Sequence, residues 1–323
     1  MDKISPAVLD AFEIHRIIKK VKGYYICQTS DGFTKIHISS ESPWEIYHQH
    51  SFKEHLAING FVNTDRFLLT KSGQPFITVG RESYVMTNYL QHQREIDYLN
   101  DDDVLVFINS LARFHMSARA IKTDSIPINL VETYNRNHAT LQQSLKQARR
   151  SPRLSDFDVL FIKHAHYYTE IIQNSMTILS ESNYKQLLND AVTHGHLCHN
   201  ALKEENLLFT DADVYITNFH KAGINLQLND LAAFINRYAL RSNKSIPICH
   251  LLKQYDKISP LPQGTTDILY ALLIFPQQFI KIITQCYNKK RNWTPNGLLN
   301  RMQSIIDERE SYEEYVNTIK LQF

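Results

Sequence analysis

The stretch from residue 191 to residue 237 constrains the fold of this chain more than any other. Two short apolar runs within it, residues 207–209 and 214–217, read as β-strands. Residues 210–213, Thr-Asp-Ala-Asp, lie between them and are typical of a turn, because Asp and Thr side chains bond the nearby backbone. A helix is expected to begin at residue 229. The stretch therefore predicts a loop, a β-hairpin and a helix in that order.

The first ninety residues read as strands with one helix between them. Residues 22–29 and 33–38 are two strands joined by an Asp-Gly turn of the kind that closes hairpins. Residues 43–59 carry apolar side chains at roughly helical spacing, and the glycine that follows suits a helix C-terminus. Residues 76–79 and 83–89 form a second hairpin. This order predicts an antiparallel sheet of about five strands, ending near Asn88.

Beyond residue 90 the pattern becomes helical. Three consecutive Asp residues at 101–103 mark a helix start, where the helix dipole favours negative charge. Helices are predicted from residue 101, over 129–150 and 153–180, and from residues 229, 246, 266 and 295. The chain is therefore predicted to be an α+β protein that divides into residues 1–90 and residues 91–323.

Composition and charge exclude several classes of partner. The 323 residues include 35 basic and 33 acidic side chains, so net charge gives no reason to expect nucleic acid or an anionic membrane. The N-terminal residues lack the apolar core of a signal peptide, and the longest apolar run, Ile268–Pro276, is too short to span a bilayer. The cysteines lie far apart and form no CxxC pair, so reduced thiols in a cytosolic setting are expected.

The order of elements and letters resembles the catalytic core of the aminoglycoside-phosphotransferase and choline-kinase group. The letters that carry the likeness are His194-Gly195, Asn218-Phe219, Asp230-Leu231-Ala232 and, upstream, residues 111–115. The chain is most similar to the bacterial spore-coat branch of that group, the CotS type, and within it to the YsxE-like proteins. The resemblance implies a bilobal protein-kinase-like fold, with an antiparallel-sheet N-lobe over 1–90 and a mostly helical C-lobe over 91–323.

The resemblance also implies that the catalytic, metal-binding and nucleotide-binding positions are occupied by residues unsuited to phosphoryl transfer. The group's catalytic loop reads H-G-D-x(4)-N, and matching its first two letters to His194 and Gly195 puts His196 at the catalytic Asp. The metal-binding Asp position is then Asn218, and its acidic neighbour is His220. The nucleotide-binding lysine position on the second strand of the first hairpin is His37.

Other positions stay open in this alignment. Lys35 lies two residues before His37 on the same strand face, so it is a candidate substitute for the lysine. Asn200 and Asn206 are alternative candidates for the catalytic-loop Asn, and the second implies an insertion after Gly195. The resemblance gives His194, Gly195 and Asp230 structural roles, with His194 as a packed histidine.

The acidic partner of the lysine and any metal site are less defined. The helix over 43–59 should supply the carboxylate, and Glu45 and Glu54 are both candidates. A cluster of possible metal ligands consists of His194, His196, Cys198 and His199. Its spacing matches no closed zinc motif, so neither a metal nor a cofactor is expected.

The leading functional hypothesis is therefore a non-catalytic, kinase-like spore-coat protein that acts in sporulation by binding other coat proteins. The resemblance implies synthesis in the mother-cell cytoplasm and incorporation into the spore coat. One alternative is a small-molecule phosphotransferase of the aminoglycoside or choline kinase type that uses His196 and Lys35 in unusual roles. Another is a nucleotide-binding module without turnover. Asp211 and Asp213, at the hairpin tip, are expected to lie too far from the site to replace the missing carboxylates.

Overall fold

A computed structural model describes residues 4–91, 93–123, 127–211, 213–287 and 295–321. The strands are β1 (Arg16–Val21), β2 (Tyr24–Thr29), β3 (Gly32–Ser39), β4 (Ile77–Val79), β5 (Glu82–Asn88), β6 (Arg94–Glu95), β7 (Leu197–Cys198), β8 (Leu207–Phe209), β9 (Val214–Ile216) and β10 (Gly223–Ile224). The helices are α1 (Pro6–Ala11), α2 (Pro43–Ile58), α3 (Asp101–Ser117), α4 (Leu130–Arg150), α5 (Asp156–Glu181), α6 (Tyr184–Thr193), α7 (Leu228–Arg241), α8 (Ile248–Asp256), α9 (Thr265–Ile274), α10 (Gln277–Tyr287), α11 (Pro295–Asp307) and α12 (Arg309–Asn317).

The N-terminal sheet has five antiparallel strands in the order β1-β2-β3-β5-β4, which confirms the predicted sheet, and its strand β5 ends at Asn88. The predicted strand over 22–29 begins later, at Tyr24, because Lys22 and Gly23 form the turn that joins β1 to β2. Gly23 has φ +90°, a conformation that glycine adopts without a steric penalty. Strand β1 was not predicted as a separate element.

Helix α2 follows the sequence signals at both of its ends. The Ser42 hydroxyl accepts the backbone N–H of Glu45, and the Glu45 carboxylate accepts the backbone N–H of Ser42, which completes a capping box. Pro43 occupies the first turn, where its missing N–H costs nothing. Gly60, with φ +93°, follows the last turn as expected. These contacts fix where the helix starts and stops.

The described residues divide into two compact units. The first unit comprises the described residues of Met1–Asp97, Arg113–Lys122 and His199–Ala222, and the second unit comprises those of Tyr98–Ala112, Thr123–Cys198 and Gly223–Phe323. The division into residues 1–90 and 91–323 remains a prediction. The hairpin that follows His199 thus belongs to the same unit as the N-terminal sheet.

The first unit has an apolar core on one face of the five-stranded sheet. Val8 on α1 packs with Cys27, Ile36 and Met86 from the sheet, and all four are buried. Helix α1 was not predicted from the sequence. In the same unit, β8 and β9 form the predicted hairpin, and β6 adds a third strand beside β8.

The second unit is held by helices with an aromatic core. Two aromatic pairs stack within it, with ring centroids 3.5 Å apart for Tyr134 and Phe275 and 3.6 Å apart for Tyr168 and Phe279. The Ser175 hydroxyl of α5 donates to the buried carbonyl of Ala271 in α9. These contacts tie α4, α5, α9 and α10 together. We call these helices and rings the aromatic core.

One segment of the second unit has the length and composition of a membrane-spanning helix. An 18-residue window within Thr265–Tyr287 reaches a mean hydropathy of 1.3, and 61% of that window is buried inside the protein. Pro276 separates α9 from α10 within the segment. Buried core helices of soluble proteins share this composition, so the segment is weak grounds for a membrane span.

All four cysteines are free thiols. Cys27, Cys198 and Cys249 are buried, and Cys286 is partly buried. Burial raises the pKa of both Cys27 and Cys286 to about 11. Burial and the nearby Asp230 carboxylate raise the pKa of Cys198 well above its ordinary value. Protonated, sheltered thiols of this kind are poor nucleophiles.

Candidate functional site

The His194-Gly195 pair forms the C-terminal cap of α6. Gly195 has φ +59°, and the backbone N–H of His196 donates to the Ala191 carbonyl at 2.8 Å, while that of Gly195 donates to Val192 at 3.2 Å. This is the two-bond Schellman pattern that glycine favours at helix ends. The His194 ring is exposed, and its Nδ1 donates to the Asp190 carbonyl. The structure contradicts the expectation that His194 is a packed histidine, because its ring is exposed, bonded to its own helix and 6.1 Å from the centroid of the His196 ring.

His196 lies next to a short strand pair in the second unit. It directly precedes β7, which pairs antiparallel with β10. Its backbone carbonyl accepts the N–H of Asn225 at 3.1 Å. His196 thus continues the pairing that joins β7 to the residues after β10.

The residues that follow β7 reproduce the spacing of the catalytic loop without an insertion. Counted from His199, they read H-N-A-x(4)-N and end at Asn206. His199 is fully buried, and its Nε2 donates to the Thr217 carbonyl at 2.9 Å. Asn200, at the glycine position of the motif, has φ +58°, which Asn tolerates better than most residues. The Asn206 amide donates to the Ala201 carbonyl at 2.8 Å and closes the loop.

This geometry favours Ala201 over His196 as the position of the catalytic carboxylate. It also favours Asn206 over Asn200 as the catalytic-loop Asn, because the Asn200 amide donates instead to the Lys221 carbonyl. A methyl group at position 201 can neither accept a proton nor bind a metal. The sequence carried a signal for this alignment, since the spacing from His199 to Asn206 fits the motif once Asn is allowed in place of Gly and Ala in place of Asp.

Three polar side chains that flank the hairpin bond to one another: Asn206 precedes it, and Asn218 and His220 follow it. The Asn218 amide donates to Asn206 Oδ1 at 3.1 Å, and His220 Nδ1 donates to Asn218 Oδ1 at 2.7 Å. Asn218 itself has φ +65°. Mg2+ prefers charged oxygen ligands, and these side chains offer two neutral amides and an imidazole. Both amides and the Nδ1 atom of the imidazole already take part in hydrogen bonds within the protein.

A buried ion pair lies beside this group. Lys53 of α2 is 1% exposed, and its Nζ lies 3.0 Å from Asp65 Oδ1 and donates to the Asp65 backbone carbonyl at 2.9 Å. The ammonium also lies 3.9 Å from the Phe67 ring centroid and 5.8 Å from that of Phe219. The other Asp65 oxygen accepts the backbone N–H of Asn218 at 3.1 Å. We call Lys53, Asp65, Asn206, Asn218 and His220 the polar cluster.

Lys53 was not predicted as a site residue, although its spacing along α2 pointed to the buried face of the helix. Ile46, Gln49 and Leu56 line the buried face of α2, and Lys53 falls on that face at helical spacing. The two carboxylates considered instead have other partners. Glu45 belongs to the capping box of Ser42, and Glu54 pairs with the Arg66 guanidinium at the surface. The helix therefore supplies a cation where the resemblance implied an anion.

His37 lies near the polar cluster as a neutral imidazole. Its pKa is lowered to about 4, chiefly by burial and also by the Lys35 and Lys53 ammonium groups, while the Asp65 carboxylate acts in the opposite direction. Lys35 Nζ lies 4.7 Å from the centroid of the Tyr24 ring, a cation–π contact within the sheet. The lysine position of the kinase pattern thus carries an uncharged side chain, and Lys35 packs on a tyrosine.

Asp230 and the possible metal ligands complete the set of predicted site residues. Asp230 lies in the first turn of α7 and is 1% exposed. Its charge contributes to the raised pKa of Cys198, so Asp230 lies near β7. Its role in bracing the catalytic loop remains a prediction. Among the described residues, no group of three or more His, Cys, Asp or Glu side chains is arranged to hold a metal ion.

A family comparison identifies relatives of this chain. The model of a family described as spore coat putative kinase YutH matches residues 9–319. Spore coat protein S of Bacillus subtilis (strain 168) is 22% identical over 166 residues, which cover 50% of this chain and 47% of that protein. The endospore coat-associated protein YutH of the same organism is 22% identical over 179 residues, covering 52% and 49%. The chain thus spans about half the length of the curated relatives it matches.

Solved structures share the fold. The crystal structure of an aminoglycoside phosphotransferase from Alicyclobacillus acidocaldarius has a TM-score of 0.87 at 20% identity, covering 100% of this chain and 97% of that one. A microcompartment-associated aminopropanol kinase has a TM-score of 0.59 at 11% identity, covering 97% of both chains. These likenesses confirm a kinase-like phosphotransferase fold with an N-terminal antiparallel sheet and a mostly helical remainder. Together with the family match, they show that the chain belongs to the spore coat putative kinase YutH family.

Proposed function

We propose that this chain is a spore-coat protein that has lost phosphoryl transfer and acts by binding other coat proteins. The observation that carries the proposal is the polar cluster, whose members bond to one another. An enzyme of this fold would need comparable groups to face ATP, metal and substrate.

Phosphoryl transfer demands a few charged groups in fixed places. It needs metal ions held by carboxylates, a cation on the phosphates and a carboxylate that accepts the substrate proton. Ala201 and Asn218 stand where the two carboxylates belong, and neither carries charge. His37 stands where the lysine belongs, and Lys53 is neutralised by Asp65. The chain also contains no G-x-G-x-x-G sequence to cover the phosphates.

The names of the relatives support a place in the spore coat. Both curated relatives are coat or coat-associated proteins. We propose that this chain is made in the mother-cell cytoplasm, enters the coat and binds other coat proteins there. A protein without chemistry of its own would contribute to such an assembly through its surfaces.

One feature favours a second candidate, a small-molecule phosphotransferase with atypical residues. Asp65 is a carboxylate within hydrogen-bonding distance of the Asn218 backbone, and its side chain is 28% exposed. Opening of the Lys53–Asp65 pair would free a metal ligand close to the Asn218 position. The solved structures with this fold include active phosphotransferases by their names.

An ATP turnover assay separates the two functions. Radiolabelled ATP with Mg2+ or Mn2+ should show no hydrolysis and no transfer by the wild-type protein above a protein-free blank. Turnover that disappears in Asp65→Asn would contradict the proposal and establish the second candidate. A thermal-shift titration with ATP and Mg2+ adds a test of binding. A rise in Tm without turnover would indicate a nucleotide-binding module.

A further inference from the structure

Strand β1 is an open edge of the five-stranded sheet. It pairs with β2 on one side, and among the described residues no strand pairs with its other side. The opposite edge is β4, which has three residues and contacts α1. The β1 edge is therefore longer than the β4 edge, which α1 contacts. Strand β1 is the edge that presents backbone N–H and C=O groups to an incoming strand.

Both faces of β1 are exposed to solvent. Arg16, Lys19 and Lys20 are exposed, and so are Ile17 at 38% and Ile18 at 44%. A strand that stabilised the fold by packing would bury alternate side chains. Ile17 and Ile18 are too exposed to contribute much to the hydrophobic core of this unit, so packing in the core does not explain why these positions are apolar.

The charge of this edge is uniformly positive. Arg16, Lys19 and Lys20 lie on the strand, and Lys22 lies in the turn that follows. No acidic residue occurs between Ile14 and Ser30. Antiparallel pairing of β1 with a second copy of itself would bring these cations together, which disfavours self-association. An extended acidic segment would instead place carboxylates opposite the same cations.

We propose that β1 is a docking edge for an extended acidic segment of another protein, which pairs with it as an added strand. Backbone hydrogen bonds would supply affinity, the cations would select acidic sequences, and Ile17 and Ile18 would pack against apolar side chains of the incoming strand. This inference rests on the proposed function, because it names the chemistry of a coat partner.

Edge lysines also have a purely protective use. Proteins place lysines and β-bulges on open edges to prevent pairing with other chains, and β1 has a register shift between Ile17 and Lys19. Protection alone predicts that nothing binds the edge. The docking role predicts a selective partner, so a binding experiment decides between them.

The experiment uses a fluorescent peptide of about nine residues, in which glutamate alternates with valine, a length that covers one strand. Its anisotropy is titrated with the full chain, with Lys19→Glu/Lys20→Glu and with the matched control Lys163→Glu/Lys185→Glu. Lys163 and Lys185 are exposed lysines on helices of the other unit. A second peptide has lysine in place of glutamate. Amide hydrogen exchange follows β1 with and without the acidic peptide.

The acidic peptide should bind the wild type and the control with equal affinity. The β1 variant should bind it at least about tenfold more weakly. The lysine peptide should prefer the β1 variant. Hydrogen exchange of the β1 amides should slow when the peptide binds. Electrostatic attraction without strand pairing would not slow it. No binding, equal loss in the control, or binding without protection of β1 would each overturn the proposal. ATP turnover and peptide binding are measured in separate assays, so turnover would contradict the proposed function alone, and absence of peptide binding without turnover would overturn the docking edge alone.

Discussion

The aromatic core of the second unit and the polar cluster of the first unit are stabilised by different kinds of contact. The core stacks rings such as Tyr168 and Phe279 at 3.6 Å, and its strength lies in area removed from water. The cluster joins Lys53, Asp65 and Asn218 through directional bonds. Apolar packing tolerates small changes of angle, whereas a buried charge requires its partner in place. The comparison shows that the two units depend on different physical terms, so substitutions in each should have different consequences.

The largest effect is expected from a cavity in the aromatic core. Phe279→Ala should lower the free energy of unfolding by about 4 kcal/mol, because it removes a fully buried ring without filling the space. Urea unfolding followed by circular dichroism measures the change. Phe33→Ala is the control, since Phe33 is 44% exposed and should cost little. Equal losses in the two variants would contradict the role given to the core.

A smaller loss is expected when the cluster loses its cation. Lys53→Ala should cost about 3 kcal/mol, because it strips a half-buried carboxylate of its partner and leaves a void. Lys53→Met fills the void and should recover part of that loss. Amide exchange should quicken at Asn218, whose N–H donates to Asp65. A Lys53→Ala variant as stable as wild type would show that the ion pair contributes nothing.

The pH dependence of stability tests His37. Its pKa of about 4 in the folded protein lies below the ordinary value of about 6.5, so between these values the unfolded chain binds more protons. Stability is therefore full above pH 6.5 and falls toward pH 4, by about 2 kcal/mol at pH 5. Urea melts across this range measure the slope. Burial also lowers the pKa of His50 and His164, so the difference between wild type and His37→Gln isolates His37. Identical slopes would contradict the assignment.

The smallest effect should follow restoration of the missing carboxylates. Ala201→Asp combined with Asn218→Asp should cost about 1 kcal/mol without metal, because the residue at 218 loses the hydrogen bond that its amide donates to Asn206 and adds a negative charge to a residue whose backbone N–H already binds Asp65. Mg2+ should return part of this stability without creating kinase activity, since His37 still occupies the lysine position. Urea melts with and without Mg2+, together with the ATP assay, check both parts. A double variant that is stable without metal and active with it would reveal a dormant catalytic centre.

Elements with strong local signals were predictable from the sequence. The helix over 43–59 has a glycine after its end, and the hairpin over 207–216 has two apolar runs around an Asp-containing turn. The helices α4 and α5 were also predicted, within a few residues of their observed ends. Two-residue strands such as β7 carry no periodicity, so only the pairing with β10 reveals them. Helix α6 was not predicted.

The site was harder to predict than the fold. Two histidines, His194 and His199, begin similar letter patterns, and the glycine after the first made it the better match by letters. The structure distinguishes them physically, because His194 is exposed at the end of a helix, whereas His199 is fully buried and donates to the Thr217 carbonyl at the end of the hairpin. Lys53 was missed because charged residues on a helix are normally assigned to solvent. Its partner Asp65 lies twelve residues away in a loop, beyond the reach of local patterns.

The state of the cysteines limits how this chain can be attached to anything. Disulfide exchange requires an accessible thiolate, and the thiols of Cys27, Cys198 and Cys286 are kept protonated by burial. Oxidising conditions would therefore leave the folded chain without an exposed thiol to cross-link. Any covalent attachment through these thiols would have to follow local unfolding.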